Sequence, residues 1–116
     1  MIELSVVMPM YRADHIGWLP FESLIRQKGI DFEWELIIAE ETKDRPFGEE
    51  NILKYKPKLE ELGCVNFKYI GLKKWITLGE KIYFLVNNCH DDSKIFVWLS
   101  ADYYSAPLRL NIVVRG

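Results

Sequence analysis

Four apolar, β-branched runs recur about thirty residues apart: Leu4-Ser5-Val6-Val7-Met8, Glu35-Leu36-Ile37-Ile38-Ala39, Val65-Asn66-Phe67-Lys68-Tyr69-Ile70 and Ile95-Phe96-Val97-Trp98-Leu99. That interval accommodates a strand, a crossover helix and two loops, so the pattern predicts an α/β fold with a mainly parallel sheet and helical connections. The segments between the runs carry helix signals of their own. Thr77-Leu78-Gly79-Glu80 has the spacing of a capping box, and Leu78, Ile82, Leu85, Val86 and Cys89 then share one helical stripe. Nearer the start, Pro20 suits a first helical turn, Phe21, Leu24 and Ile25 lie on one face, and Gly29 offers a left-handed terminus. The charged stretch from Phe47 to Leu62 is interrupted by Pro57, which predicts a loop followed by two short helical pieces.

Length bounds the architecture. At 116 residues and 13.7 kDa the chain makes one domain, residues 1–116, with 49% apolar residues to form its core. Fifteen basic and 17 acidic side chains leave a net charge of −2, which gives no reason to expect a nucleic-acid partner. Cys64 and Cys89 lack the spacing of a zinc site or a disulfide scaffold and are expected to be buried thiols in a reducing, cytoplasmic setting. No apolar run approaches the ~18 residues of a membrane span, and Glu3 stands where a signal peptide would be basic. No integral membrane segment is expected.

In an open parallel sheet, ligands bind outside the carboxyl ends of the strands at a topological switch point. The residues following the four runs are Pro9-Met10-Tyr11-Arg12-Ala13-Asp14, Glu40-Glu41-Thr42-Lys43-Asp44-Arg45, Gly71-Leu72-Lys73-Lys74-Trp75 and Ser100-Ala101-Asp102-Tyr103-Tyr104. Acids, bases and aromatics therefore converge on one rim. The first of these turns has no glycine, which disfavours a dinucleotide fold, and no P-loop motif occurs anywhere in the chain. A receiver domain would carry its acidic cluster after the first strand, whereas here the first paired acids follow the second.

The rim resembles the amino-terminal half of the family 2 glycosyltransferases of GT-A fold. Leu4-Ser5-Val6-Val7-Met8-Pro9-Met10-Tyr11-Arg12 is similar to the family's S-V-V-I-P-x-Y-N-R opening, and Leu24-Ile25-Arg26-Gln27 to its S-L-x-x-Q helix. Trp34-Glu35-Leu36-Ile37-Ile38-Ala39-Glu40-Glu41 is similar to E-L-I-I-V-D-D, and Ala101-Asp102-Tyr103-Tyr104-Ser105-Ala106-Pro107-Leu108-Arg109-Leu110 to D-D-Y-Y-S-P-x-R-L. The resemblance implies a Rossmann-like fold that binds a nucleotide-diphosphate sugar, with helices on both faces of the sheet. It implies that Pro9 and Tyr11 shape the pocket for the base, with Tyr11 or Arg12 close to it. Glu40 would contact base or ribose, Glu41 would stand by as a second acid, and Lys73 or Lys74 would add a cationic contact. Asp102 would be the carboxylate of the D-x-D motif, holding Mg2+ or Mn2+ against the diphosphate. One acid of that motif is replaced, by Ser100 or by Ala101 according to register.

The family's catalytic base and acceptor groove follow the metal motif, so the chain is expected to be a truncated, donor-binding half whose catalytic residues are unknown. The alternative is a non-catalytic interaction module that keeps the fold. A truncated half also predicts unpaired sheet edges and self-association, as a homodimer. Other residues have simpler readings. His90-Asp91-Asp92 suits a helix end, His15 a surface position, and the tryptophans packing, except Trp75 on the rim. No Ser-His-Asp or Cys-His set has a common location, which argues against nucleophilic hydrolysis.

Overall fold

The computed structural model describes residues 2–91, 93 and 95–99. The four apolar runs form strands β1 (Leu4–Met10), β2 (Trp34–Glu41), β3 (Cys64–Leu72) and β4 (Ile95–Trp98). They make one sheet of order β3-β2-β1-β4, and all three pairings are parallel. Strands β1, β2 and β3 step in one direction, and the chain then returns to place β4 on the other side of β1. The switch point therefore lies at the carboxyl end of β1. β1 and β2 are buried throughout, as the inner strands of a two-sided parallel sheet must be.

Between the strands run α1 (Trp18–Leu24), α2 (Glu49–Leu53), α3 (Lys56–Glu61) and α4 (Leu78–Asn87). The expected pair of short helices is present, with Pro57 in the first turn of α3, where its missing N–H costs no hydrogen bond. The capping box of α4 also forms, Thr77 accepting from the Glu80 amide at 3.2 Å. α1 departs from expectation. It stops at Leu24 rather than running to Gly29, although Gly29 does adopt a left-handed φ of 72°. Its last carbonyls are taken early: Ser23 Oγ donates to Pro20 O at 2.7 Å and Gln27 Nε2 to Ser23 O at 3.2 Å. The Arg26 amide turns back to Ser23 O, which tightens the final turn and ends the helix.

The sheet has two unlike faces. Leu4, Val6, Met8 and Met10 of β1 share one side with Trp34, Leu36 and Ile38 of β2, and there they meet Phe21, Leu24, Ile52 and Leu59 from α1, α2 and α3. Phe21 stacks on Tyr55 at 5.1 Å and on Phe47 at 6.0 Å. Gly17 admits this packing, because a Cβ there would overlap the Phe47 ring. On the opposite face the apolar cluster is small, built on Val7, Ile37, Ala39 and Leu85, and α4 covers it. The expected stripe of α4 is only partly correct. Leu85 is buried, but Leu78 is 52% exposed, and Lys81 is buried instead.

Both ends of this second face are polar. At the amino ends of the strands, the buried Glu35 carboxylate accepts from Ser5 Oγ, from Asn66 Nδ2 at 2.7 Å and from the His90 amide at 2.8 Å. Ser5 Oγ also lies 2.6 Å from Ser93 Oγ, which ties the α4–β4 connection to the sheet. A register shift at the start of the β2–β3 pairing leaves Val65 unpaired and sets Asn66 opposite Glu35.

Candidate functional site

The other polar end lies at the carboxyl rim. Adjacent residues on a strand point to opposite faces, so Glu40 and Glu41 part company there. Glu40 turns toward the α1–α3 side and is fully buried. Its Oε2 accepts from the Phe47 amide at 2.6 Å, and its Oε1 from the Gly48 amide at 3.1 Å and Tyr69 Oη at 2.8 Å. Burial first, and then this carboxylate, push the Tyr69 hydroxyl above its ordinary pKa and keep it a donor. Glu40 thus shapes the β2–α2 loop from beneath.

Glu41 turns toward α4, where it forms a buried ion pair with Lys81. The same ammonium donates to Met10 O at 3.3 Å and lies 5.5 Å from the centre of the Tyr11 ring. β1, β2 and α4 are joined at this one cation. Among the described residues, Glu41 Oε2 is buried and has no hydrogen-bond partner. A buried carboxylate oxygen without a donor costs free energy. Lys81 was not singled out by the sequence reading. Its signal was available, since it lies one helical turn before Leu85, a lysine on the apolar stripe.

Above this pair, the loops after β1 and β2 touch. Tyr11, 41% exposed, donates from Oη to Asp44 Oδ2 at 3.0 Å, and Arg12 Nε donates to the same oxygen at 2.9 Å. The Arg12 hydrogen bond holds the Asp44 carboxyl below the usual carboxylate range, while the bond to Asp44 raises the Tyr11 hydroxyl. Pro9 is buried in β1 opposite Ala39 and underlies this corner. The structure therefore groups Pro9, Tyr11, Arg12, Asp44, Glu41 and Lys81, with Glu40 on the other side of β2. Lys73 and Lys74 are exposed on the turn after β3, and Lys74 faces Glu80, whose carboxyl it helps to lower after the stronger effect of the Thr77 hydrogen bonds. Trp75 is 60% exposed on that turn. A groove along the outer face of α4, lined by Ile76, Gly79, Glu80, Tyr83, Phe84 and Asn87, contains none of the rim acids.

No family model matches the chain, and no curated protein does. Solved structures do. The crystal structure of S. aureus TarS matches with a TM-score of 0.78 at 17% identity, covering 96% of this chain and 18% of that one. TarS 1-349 in complex with UDP matches at 0.75 with 18% identity, and its complex with UDP-GlcNAc at 0.79 with 17% identity; each covers 96% of this chain and 30% of the other. The chain has the GT-A fold. It spans less than a third of the length of these TarS chains.

A divalent cation is the expectation attached to the D-x-D-like segment of the sequence. Among the described residues no group of three or more His, Cys, Asp or Glu side chains is placed to hold one. Asp102, expected as its ligand, lies outside the described residues. Neither cysteine is bonded to another; burial pushes the thiol of buried Cys64 up to about 12 and also raises that of half-buried Cys89. No helix among the described residues is long and apolar enough to cross a membrane.

Proposed function

We propose that the chain is the donor-binding half of a family 2-type glycosyltransferase and takes a nucleotide-diphosphate sugar at the carboxyl rim of β1 and β2. The observation that carries this reading is the Glu41–Lys81 pair. It is a buried, oriented carboxylate with one oxygen unpartnered among the described residues, set beneath Tyr11 at the switch point of the sheet. The fold adds support, because TarS, which shares it, has been crystallised with UDP and with UDP-GlcNAc. Glu41 is the acid left with an oxygen unpartnered among the described residues, beneath the corner where a base or ribose would sit, and Glu40 is the residue that positions the loop beside it. Tyr11 and Arg12 line the approach, Pro9 supports it, and Lys74 adds cationic character from the next turn. Mg2+ or Mn2+ held through Asp102 would neutralise charge on the departing diphosphate as an acceptor hydroxyl attacks the anomeric carbon. The free thiols suit a cytoplasmic setting.

A second reading, a non-catalytic module that retains the pocket, is favoured by the single acid left in the D-x-D-like segment. Titration with UDP and GDP, with and without Mn2+, separates the two. Metal-dependent binding abolished by Asp102→Ala supports a working donor site. Metal-independent binding that survives Asp102→Ala supports the module, and no binding at millimolar nucleotide contradicts the donor reading. Exposed Phe96 and Trp98 on β4 support the further proposal of self-association, which a strictly monomeric sedimentation profile at high concentration would refute.

A further inference from the structure

The loops after β1 and β2 are fastened by charges that a ligand would compete for. Asp44 Oδ2 accepts from both Tyr11 Oη and Arg12 Nε, while Arg45 Nε donates to Asp14 Oδ2 at 3.2 Å and the Asp14 amide to Arg45 O at 3.2 Å. Arg12 and Arg45 both hold φ of 50°, a left-handed conformation that residues with a Cβ keep where their surroundings impose it. Arg12 is the second residue after β1, at the switch point, and the Arg12–Asp44 pair is open to solvent, with side chains 54% and 38% exposed.

We propose that Asp44 is a specificity-determining residue that occupies Arg12 as an internal stand-in for phosphate, so that only a ligand bearing a stronger anion than a carboxylate gains from this corner. The inference rests on the donor-site reading above. An exposed ion pair is weak and exchangeable. A diphosphate offers more charge and more acceptor oxygens than one carboxylate, so it takes over the guanidinium, whereas an uncharged nucleoside leaves the pair intact and gains nothing from Arg12. Discrimination between nucleoside and nucleoside diphosphate is thereby built into two neighbouring loops.

The test is calorimetric titration of the full chain with UDP and with uridine. Asp44→Asn removes the competing charge while keeping an acceptor for Tyr11, and it is expected to tighten UDP binding about two- to fivefold, the range set by an exposed pair, and to leave uridine unchanged. In an Arg12→Gln background the same substitution is expected to change nothing. The proposal is overturned if UDP binds the Asp44→Asn protein no more tightly than the original, if uridine gains equally, or if the gain persists without Arg12. Failure of every protein to bind UDP would instead remove the donor reading, and this inference with it.

Discussion

The two faces of the sheet divide the work of the molecule. On the side of α1, α2 and α3, large apolar side chains interlock around Phe21, Trp34 and Met8, and the buried carboxylate of Glu40 has both oxygens satisfied. On the side of α4, Val7, Ile37, Ala39 and Leu85 lie buried between two polar ends, Glu35 with Ser5 and Asn66 at one and Glu41 with Lys81 at the other. Apolar burial supplies most folding free energy, so the first face stabilises. A buried ion pair adds little net stability over a hydrophobic alternative, and under the proposed donor-site function the carboxyl-end pair on the second face would hold groups in place for the nucleotide.

The largest effect should come from the stabilising face. Phe21→Ala removes a fully buried ring stacked on two others and should cost ~3–5 kcal/mol in denaturant unfolding. Lys81→Met breaks the contrast differently. It strands a buried carboxylate and should also destabilise by several kcal/mol, of order 3–5. The double variant Glu41→Leu with Lys81→Met should recover most of that stability yet lose nucleotide binding. A double variant as damaged as the single one would show that the pair is structural.

Thr77→Ala is a smaller probe of the α4 side. It removes the capping hydroxyl and should lower stability by ~1 kcal/mol. The smallest effect is expected from acid. Asp44 and Asp14 have lowered pKa values, chiefly through hydrogen bonds from Arg12 and His15 respectively. Their folded-state values lie below the unfolded ones, so their contribution is fully present above the ordinary aspartate pKa of ~3.9. It is lost as pH falls through the lowered values. Unfolding measured as a function of pH should therefore show a shallower acid slope in Asp44→Asn.

Much of this was legible in the sequence, for physical reasons. β1 and β2, buried on both faces, are apolar nearly throughout, the edge strands β3 and β4 carry β-branched and aromatic residues at strand spacing, and the α4 cap is a local motif with a fixed spacing. What escaped depends on partners distant in sequence. Lys81 is forty residues from Glu41, and a lysine on a helical stripe reads as a solvated side chain until its carboxylate is in place. The adjacent acids Glu40 and Glu41 appeared as one acidic pair, and only the pleat of β2 sends them to opposite faces with different tasks. The end of α1 was misplaced because Ser23 and Gln27 side chains terminate it before its glycine is reached.

The most direct test is a 15N-resolved NMR titration of the chain with UDP. Binding at the carboxyl rim predicts saturable shifts in the amides of Tyr11, Arg12, Glu41 and Lys81, with Glu35, Asn66 and Ser93 at the far end of the same face unmoved. Shifts centred on Glu35, or on the outer groove of α4 around Tyr83 and Phe84, would contradict the account.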